Sequence, residues 1–126
     1  MTVTRPIVAD ILDKAADTIE ANGHHKGDLY RKSRGRRRNR CQVCAFGAIN
    51  IAVHGSPLHP DQYAVTPDRP DRRGWNLAVA VSAGRMLRSH LGVTEVHEWN
   101  DAADRTAADV TAAMRATAAR LRAGDL

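Results

Sequence analysis

Residues 41–54 constrain the fold of this chain most strongly, because they are apolar on nearly every side of a helix. The apolar positions are Val43, Cys44, Ala45, Phe46, Ala48, Ile49, Ile51, Ala52 and Val53. A helix without a polar face is buried by its neighbours on most sides. We therefore predict a buried central helix from about Cys41 to His54 that stops at Gly55. Asn50 is its polar interior residue, and we expect its amide to find hydrogen-bond partners.

Three other segments carry apolar residues at helical spacing, at about residues 5–22, 74–91 and 107–123, the second beginning at Gly74 or Trp75. Only 4% of the residues are aromatic and 43% are hydrophobic, so the core consists mainly of aliphatic side chains, which favours helices over sheets. The predicted buried face of the third helix is Leu77, Ala80, Val81, Gly84, Leu87 and Leu91.

These segments predict an all-α fold, a four-helix compact domain with a buried central helix and two long loops. We expect a single helical domain over residues 1–126, with a basic loop at residues 23–40 and a Pro-rich loop at residues 55–74. The segment at residues 93–99 shows no clean periodicity and is left without an assignment.

Residues that begin and end helices support these boundaries. Thr4 is placed to cap the first helix and Gly23 to stop it. Thr106 and Asp109 have the spacing of a capping box at the start of the last helix, with Asp in place of the usual Glu.

Bulk properties exclude several classes of protein. The chain has no apolar run long enough to span a membrane, so we expect no membrane partner. Its N-terminus lacks the apolar region of a signal peptide. Two cysteines are too few for a disulfide scaffold. We therefore expect a cytoplasmic protein, and no motif in the sequence indicates a cofactor.

The basic residues are concentrated in one segment. Residues 24–40 hold eight basic residues and one acidic residue, a net charge of +7, whereas the whole chain carries +5. Flexible arginine-rich segments contact phosphates and become ordered on binding. The alternatives are a solvated charged loop or docking to an acidic protein. The residues predicted to bind nucleic acid or a partner are Arg31, Lys32, Arg34, Arg36, Arg37, Arg38 and Arg40.

The two cysteines are candidate residues for a metal site or a redox site, and we predict neither. Cys41 and Cys44 could join His54 and His59 as zinc ligands. On one helix, however, Cys44 and His54 would be about 15 Å apart, too far to share an ion. His24 or His25 could replace them, but two buried thiols packing in the core are the simpler interpretation. A redox pair usually needs a βαβ setting, which this sequence lacks.

A cysteine-dependent enzyme is the alternative functional hypothesis. Cys44, His97 and Asn100 or Asp101 occur in the order of a Cys-His-Asn hydrolase. A helix N-terminus lowers the pKa of a thiol, as such an enzyme needs, but a thiol buried in an apolar helix is usually inert. We therefore favour a protein without enzymatic activity and predict no catalytic residue.

A second concentration of polar residues precedes the last helix. Asp101 and Arg105 are four residues apart and are expected to pair. Two interpretations stay open, a structural latch that fixes the entry of the last helix, favoured here, and a small binding pocket. The residues of this set are Trp99, Asn100, Asp101, Arg105 and Thr106.

Several of these motifs together resemble a family of small, uncharacterised helical proteins of actinobacteria and their phages. The resemblance rests on Cys44-x-x-Gly47-Ala48, on the Trp-Asn-Asp motif at residues 99–101 and on the Arg-Thr pair at residues 105–106. It implies a helical fold and brings no activity with it. We therefore predict a non-enzymatic binding or accessory protein that acts through its basic loop on nucleic acid or on an acidic host protein.

Overall fold

The computed structural model describes residues 2–60 and 70–126, with residues 70–73 described by their backbone alone. Residues 61–69 of the predicted Pro-rich loop lie outside the described residues. The helices run in the order α1 (Arg5–Asn22), a short 3-10 helix (Arg38–Arg40), α2 (Ala45–His54), α3 (Pro70–Leu91), α4 (Val96–Asp101) and α5 (Ala107–Arg122).

The described residues form an all-α fold, as the sequence predicted. Within residues 2–60 and 70–126 the only β pairing consists of two isolated bridges. The described residues hold a fifth α-helix beside the four expected, because the short helix α4 forms in the segment at residues 93–99 that was left without an assignment. With six residues, α4 is shorter than two turns, too short for an apolar periodicity to appear.

Helices α1 and α5 form the most extensive helix pair of the core. Small buried side chains on both helices, such as Ala16 on α1 and Ala118 on α5, let the helix backbones approach each other. Larger side chains of the two helices, including Leu12 and Met114, are fully buried in the core. Helices α2 and α3 pack against the same core.

The exposed edge of the α1–α5 pair is lined by ion pairs. Arg115 Nη2 on α5 lies 2.7 Å from Asp17 Oδ1 and 3.0 Å from Glu20 Oε1 on α1. Arg122 lies 2.9 Å from Asp10 and 2.7 Å from Asp13. The acidic face of α1 is therefore neutralised within the domain.

Helix α2 begins at Ala45, four residues later than predicted. Residues 41–44 are extended because their backbone groups bond to neighbouring segments rather than to a helical turn. Val43 donates to Gly23 O at 3.1 Å and accepts from His25 N at 2.9 Å. Cys44 is therefore the N-cap residue of α2, and its Sγ accepts from Gly47 N at 3.4 Å.

Ala45 and residues 47–50 of α2 are buried, whereas Phe46 and the last turn are half-buried. Asn50 is buried, with 2% of its surface exposed, and its Nδ2 donates to Pro57 O at 2.9 Å. The expected partner for Asn50 is thus a backbone carbonyl just beyond the helix. Gly55 ends the helix in the left-handed conformation, as predicted.

Other predicted ends of helices are also confirmed, with one exception. Gly23 follows the last residue of α1, and Thr106 and Asp109 form the reciprocal bonds of a capping box at α5. Thr4 occupies the N-cap position of α1, but its side chain makes no capping hydrogen bond.

Helix α3 differs from its prediction at its start and on its buried face. It begins at Pro70 rather than at Gly74 or Trp75, since proline is tolerated in the first turn of a helix. Leu77 and Val81, predicted to be buried, are 36% and 43% exposed. They border a groove described below. None of the helices in the described part of the chain has the length and apolar character needed to cross a bilayer.

Candidate nucleic-acid interface

The arginine-rich loop, residues 31–40, is fastened at both ends to the folded domain. At its base Tyr30 pairs with Val43 in an antiparallel bridge, and Arg31 N donates to Gln42 O at 2.9 Å. Asn22, the last residue of α1, donates from Nδ2 to Asn39 O at 3.0 Å and to Cys41 O at 3.1 Å. The loop therefore extends from a fixed base formed by α1 and the segment before α2.

Every residue of the arginine-rich loop is exposed to solvent. The guanidinium of Arg38 lies 5.9 Å from the ring centroid of Tyr30, close enough for a cation–π contact. The other basic side chains of the loop form no ion pair with any carboxylate in residues 2–60 and 70–126. These side chains are Arg31, Lys32, Arg34, Arg36, Arg37 and Arg40.

Lys26 precedes this loop and has a different role. Its Nζ donates to Ala102 O at 2.6 Å and to Ala103 O at 3.2 Å, beyond the last residue of α4. A cation at the C-terminal end of a helix satisfies carbonyls that have no partner within the helix. Lys26 is therefore a tether between the segment after α1 and the end of α4.

A surface cleft lies at the base of the loop beside Tyr30. Its volume is about 540 Å³. Arg31 and Lys32 supply positive charge to it, Asp28 supplies one negative charge, and Tyr30 supplies an aromatic wall. The lining residues are His25, Asp28, Leu29, Tyr30, Arg31, Lys32 and Leu58.

The polar set before the last helix is organised around Asn100, which is 1% exposed. Its Oδ1 accepts from Ala45 N at 3.0 Å and lies 2.8 Å from His24 Nε2. Its Nδ2 donates to His25 O at 3.1 Å and to Asp101 Oδ1 at 2.9 Å. Since Asn100 Oδ1 can only accept, His24 donates from Nε2. One side chain thus caps α2 and fixes residues 24–25.

Asp101 does not pair with Arg105, contrary to the prediction. Its Oδ1 accepts from Gly27 N at 3.0 Å. Partial burial acts to raise the pKa of Asp101, but the hydrogen bonds from Asn100 and Gly27 and the nearby histidines outweigh it and lower the pKa. Helix α4 ends at Asp101, so the four-residue spacing does not lie on one helix.

Arg105 instead folds back onto Trp99. Its Nε donates to Trp99 O at 2.9 Å, and its guanidinium lies 4.2 Å from the centroid of the indole ring. This contact lies between the end of α4 and the start of α5, next to Thr106, the N-cap residue of the capping box.

The candidate catalytic residues do not form one hydrogen-bonded set. His97 lies on an exposed surface, 3.4 Å from Glu95, while Asn100 bonds to the segment around His24. Cys44 is 7% exposed, and burial raises the pKa of its thiol, an effect that the hydrogen bond from Gly47 N offsets only in part. Both cysteines are free thiols. No group of three or more metal-binding side chains occurs within the described ranges.

Sequence reasoning named the loop cations and Asn100 but missed the residues that hold them in place. Asn22, His24 and Lys26 are separated from several of their partners by long stretches of chain, for instance 76 residues between His24 and Asn100. Asn22 and Lys26 bond to backbone carbonyls and His24 bonds to a distant side chain, and such contacts leave no pattern in the sequence.

The fold and the site together define a class, a small all-α protein that carries an exposed arginine-rich loop on a hydrogen-bonded base. Residues 3–120 match DUF6197, a family of unknown function, and the chain belongs to that family. No curated protein and no solved structure matches the chain.

Proposed function

We propose that this protein is a non-enzymatic accessory protein that binds nucleic acid through its arginine-rich loop. One observation carries the proposal. Six exposed basic side chains of the loop have no carboxylate partner in the described parts of the chain. The proposed setting is the cytoplasm of an actinobacterium or of a cell infected by its phage.

The charge distribution distinguishes this loop from the rest of the surface. On the α1–α5 edge, acidic side chains surround Arg115 and Arg122. The six basic side chains of the loop that have no carboxylate partner in the described residues lack such neutralisation, so their field extends into solvent, where it attracts a polyanion. Arginine forms bidentate contacts with phosphate oxygens, and each contact releases counterions from the nucleic acid.

Tyr30 favours single-stranded nucleic acid over a duplex. The ring lies at the loop base, beside the guanidinium of Arg38 and in the wall of the cleft. An unpaired base can stack on an aromatic ring, whereas a base within a duplex cannot. The contact is independent of sequence, because every base has a flat face.

The test is fluorescence anisotropy with a labelled oligothymidylate in about 50 mM salt, where phosphate contacts are strong. Neutralising Arg34, Arg36 and Arg37 to Gln should weaken binding at least tenfold. A matched triple variant, Lys14→Gln/Arg85→Gln/Arg88→Gln, removes the same charge from other exposed positions and should bind nearly as well as the unaltered protein. Equal weakening by both variants would show a general charge effect and would overturn the proposal.

A parallel titration with poly-glutamate separates the nucleic-acid proposal from docking to an acidic protein. Nucleic-acid binding predicts that oligothymidylate displaces poly-glutamate, since an unpaired base can stack on Tyr30 and poly-glutamate carries no base. If poly-glutamate binds through the loop and oligothymidylate does not, the partner is an acidic protein and the nucleic-acid proposal is wrong.

A further inference from the structure

We propose that the groove between α2, α3 and α4 is a binding site for a small aromatic carboxylate that also carries a hydrogen-bond donor. The site is separate from the arginine-rich loop, and the proposal does not rest on nucleic-acid binding. It rests on three features of the groove, an apolar wall, a buried amide oxygen without a partner and two arginines at the mouth.

The wall of the groove is apolar and partly open to solvent. Leu77 and Val81 of α3 are the exposed large hydrophobic residues of the described chain, and both line this groove. Gly84 lets the Phe46 ring pack closely against α3, because an added Cβ would lie only 3.0 Å from Phe46 Cε1. A side chain at this position would press on the Phe46 ring, which forms part of the groove wall.

Asn50 supplies a hydrogen-bond acceptor within the groove. The residue is 2% exposed and lines the groove. Its Nδ2 donates to Pro57 O at 2.9 Å, which leaves Oδ1 as the acceptor of the same side chain. In the described parts of the chain no donor reaches that oxygen. A buried polar atom without a partner is unfavourable, and a ligand hydroxyl or N–H would satisfy it.

The mouth of the groove is positively charged. Arg85 and Arg88 of α3 line it, are exposed, and form no ion pair with any described residue. Glu95 also lines the mouth, 3.4 Å from His97, and its single negative charge is outnumbered by the two arginines. His59 is the remaining titratable group of the lining. The arginines therefore favour an anionic group at the solvent end of the ligand.

The volume of the groove limits the size of the ligand. It measures about 230 Å³, compared with about 150 Å³ for an engineered cavity that binds benzene. One ring with a short side chain fills this space. The donor would then reach Asn50 at the inner end while the carboxylate stays near Arg85 and Arg88.

The probe is 3-(4-hydroxyphenyl)propionate, titrated into ¹⁵N-labelled protein and followed by amide shifts in NMR spectra. For a ligand of this size we expect a dissociation constant of roughly 0.1–1 mM. The shifts should concentrate at Phe46, Asn50, Ala80 and Gly84. The comparison probe 3-phenylpropionate lacks the hydroxyl and should bind about tenfold more weakly, because Asn50 Oδ1 then stays unpartnered.

Two variants test the site without removing buried side chains. Val81→Trp fills the groove from an exposed position and should abolish the shifts while leaving oligonucleotide binding unchanged. Arg85→Gln/Arg88→Gln should weaken the probe several-fold and leave the fold intact. The proposal is overturned if millimolar probe causes no shifts, if Val81→Trp binds equally well, or if these residues shift with protein concentration alone, which would place a second copy of the chain in the groove.

Discussion

Asn100 joins three parts of the chain through one side chain. It caps α2 at Ala45, holds the carbonyl of His25 and orients Asp101. Replacing Asn100 with Ala leaves Ala45 N and His25 O buried without these partners. We expect Asn100→Ala to lower the free energy of unfolding by about 3 kcal/mol, measured by urea denaturation.

Asn39 provides the matched control for Asn100. It is exposed, and its backbone oxygen, which the substitution leaves in place, accepts from Asn22 Nδ2. Asn39→Ala should change the free energy of unfolding by no more than about 0.5 kcal/mol. A similar loss in the two variants would contradict the role given to Asn100.

Gly47 allows the backbone of residue 29 to approach α2. A Cβ at this position would lie 2.0 Å from Leu29 O, which itself accepts from Cys44 N at 3.2 Å. Gly47→Ala must displace that backbone, and we expect a loss of about 2–4 kcal/mol in the free energy of unfolding. Gly74→Ala is the control, because nothing lies within 4 Å of its added Cβ, and it should stabilise α3 slightly.

The Cys44 thiol is expected to be unreactive in the folded protein. Burial raises its pKa above the ordinary value of 9.0, so the reactive thiolate is scarce at neutral pH. Iodoacetamide at neutral pH should leave Cys44 unmodified in the native protein and modify it in concentrated urea, as followed by mass spectrometry. Fast modification of the native protein would revive the cysteine-enzyme hypothesis.

The raised pKa of Cys44 also fixes the sign of a pH effect. Above about pH 9 the unfolded thiol ionises while the folded thiol stays protonated, so the free energy of unfolding should fall as pH rises through that range. Cys44→Ala should reduce this alkaline loss. An identical alkaline slope in the two proteins would show that Cys44 does not titrate in this way.

At the scale of elements, periodicity located long amphipathic helices and misplaced the ends that depend on distant contacts. Helices α1 and α5 were predicted closely, because their apolar stripes and end signals are local. The start of α2 was misplaced because apolar side chains can be buried in an extended segment as well as in a helix. Cys41, Val43 and Cys44 are buried in such a segment. Their pairing with residues 23–31 determines that conformation, and no local pattern encodes it.

The capping box of α5 was correctly predicted and can be tested by itself. Thr106 Oγ1 accepts from Asp109 N at 3.2 Å, and Asp109 Oδ2 accepts from Thr106 N at 3.0 Å. Thr106→Ala should lower the free energy of unfolding by about 1 kcal/mol in thermal or urea denaturation. Thr94→Ala, at an exposed position, should have little effect, and equal losses would mean that the cap does not stabilise α5.

At the scale of the whole molecule, the excess positive charge lies in one loop, and positive and negative side chains nearly cancel in the rest of the chain. The net charge of +7 in residues 24–40 exceeds the +5 of the chain, so the remaining residues are slightly acidic. This division was visible in the sequence, because it depends on composition alone. What the sequence did not indicate was that Lys26 is withdrawn from the basic surface by its bonds to Ala102 and Ala103.

The salt dependence of oligonucleotide binding tests the central claim most directly. Affinity for oligothymidylate should fall steeply between about 50 and 200 mM salt. The logarithm of the association constant should fall linearly with the logarithm of the salt concentration, with a slope of roughly −0.7 for each phosphate contact. Neutralising Arg34, Arg36 and Arg37 should reduce that slope by roughly two. Absence of binding at the lower salt concentration, or an unchanged slope in the triple variant, would contradict the claim that the arginine-rich loop binds nucleic acid.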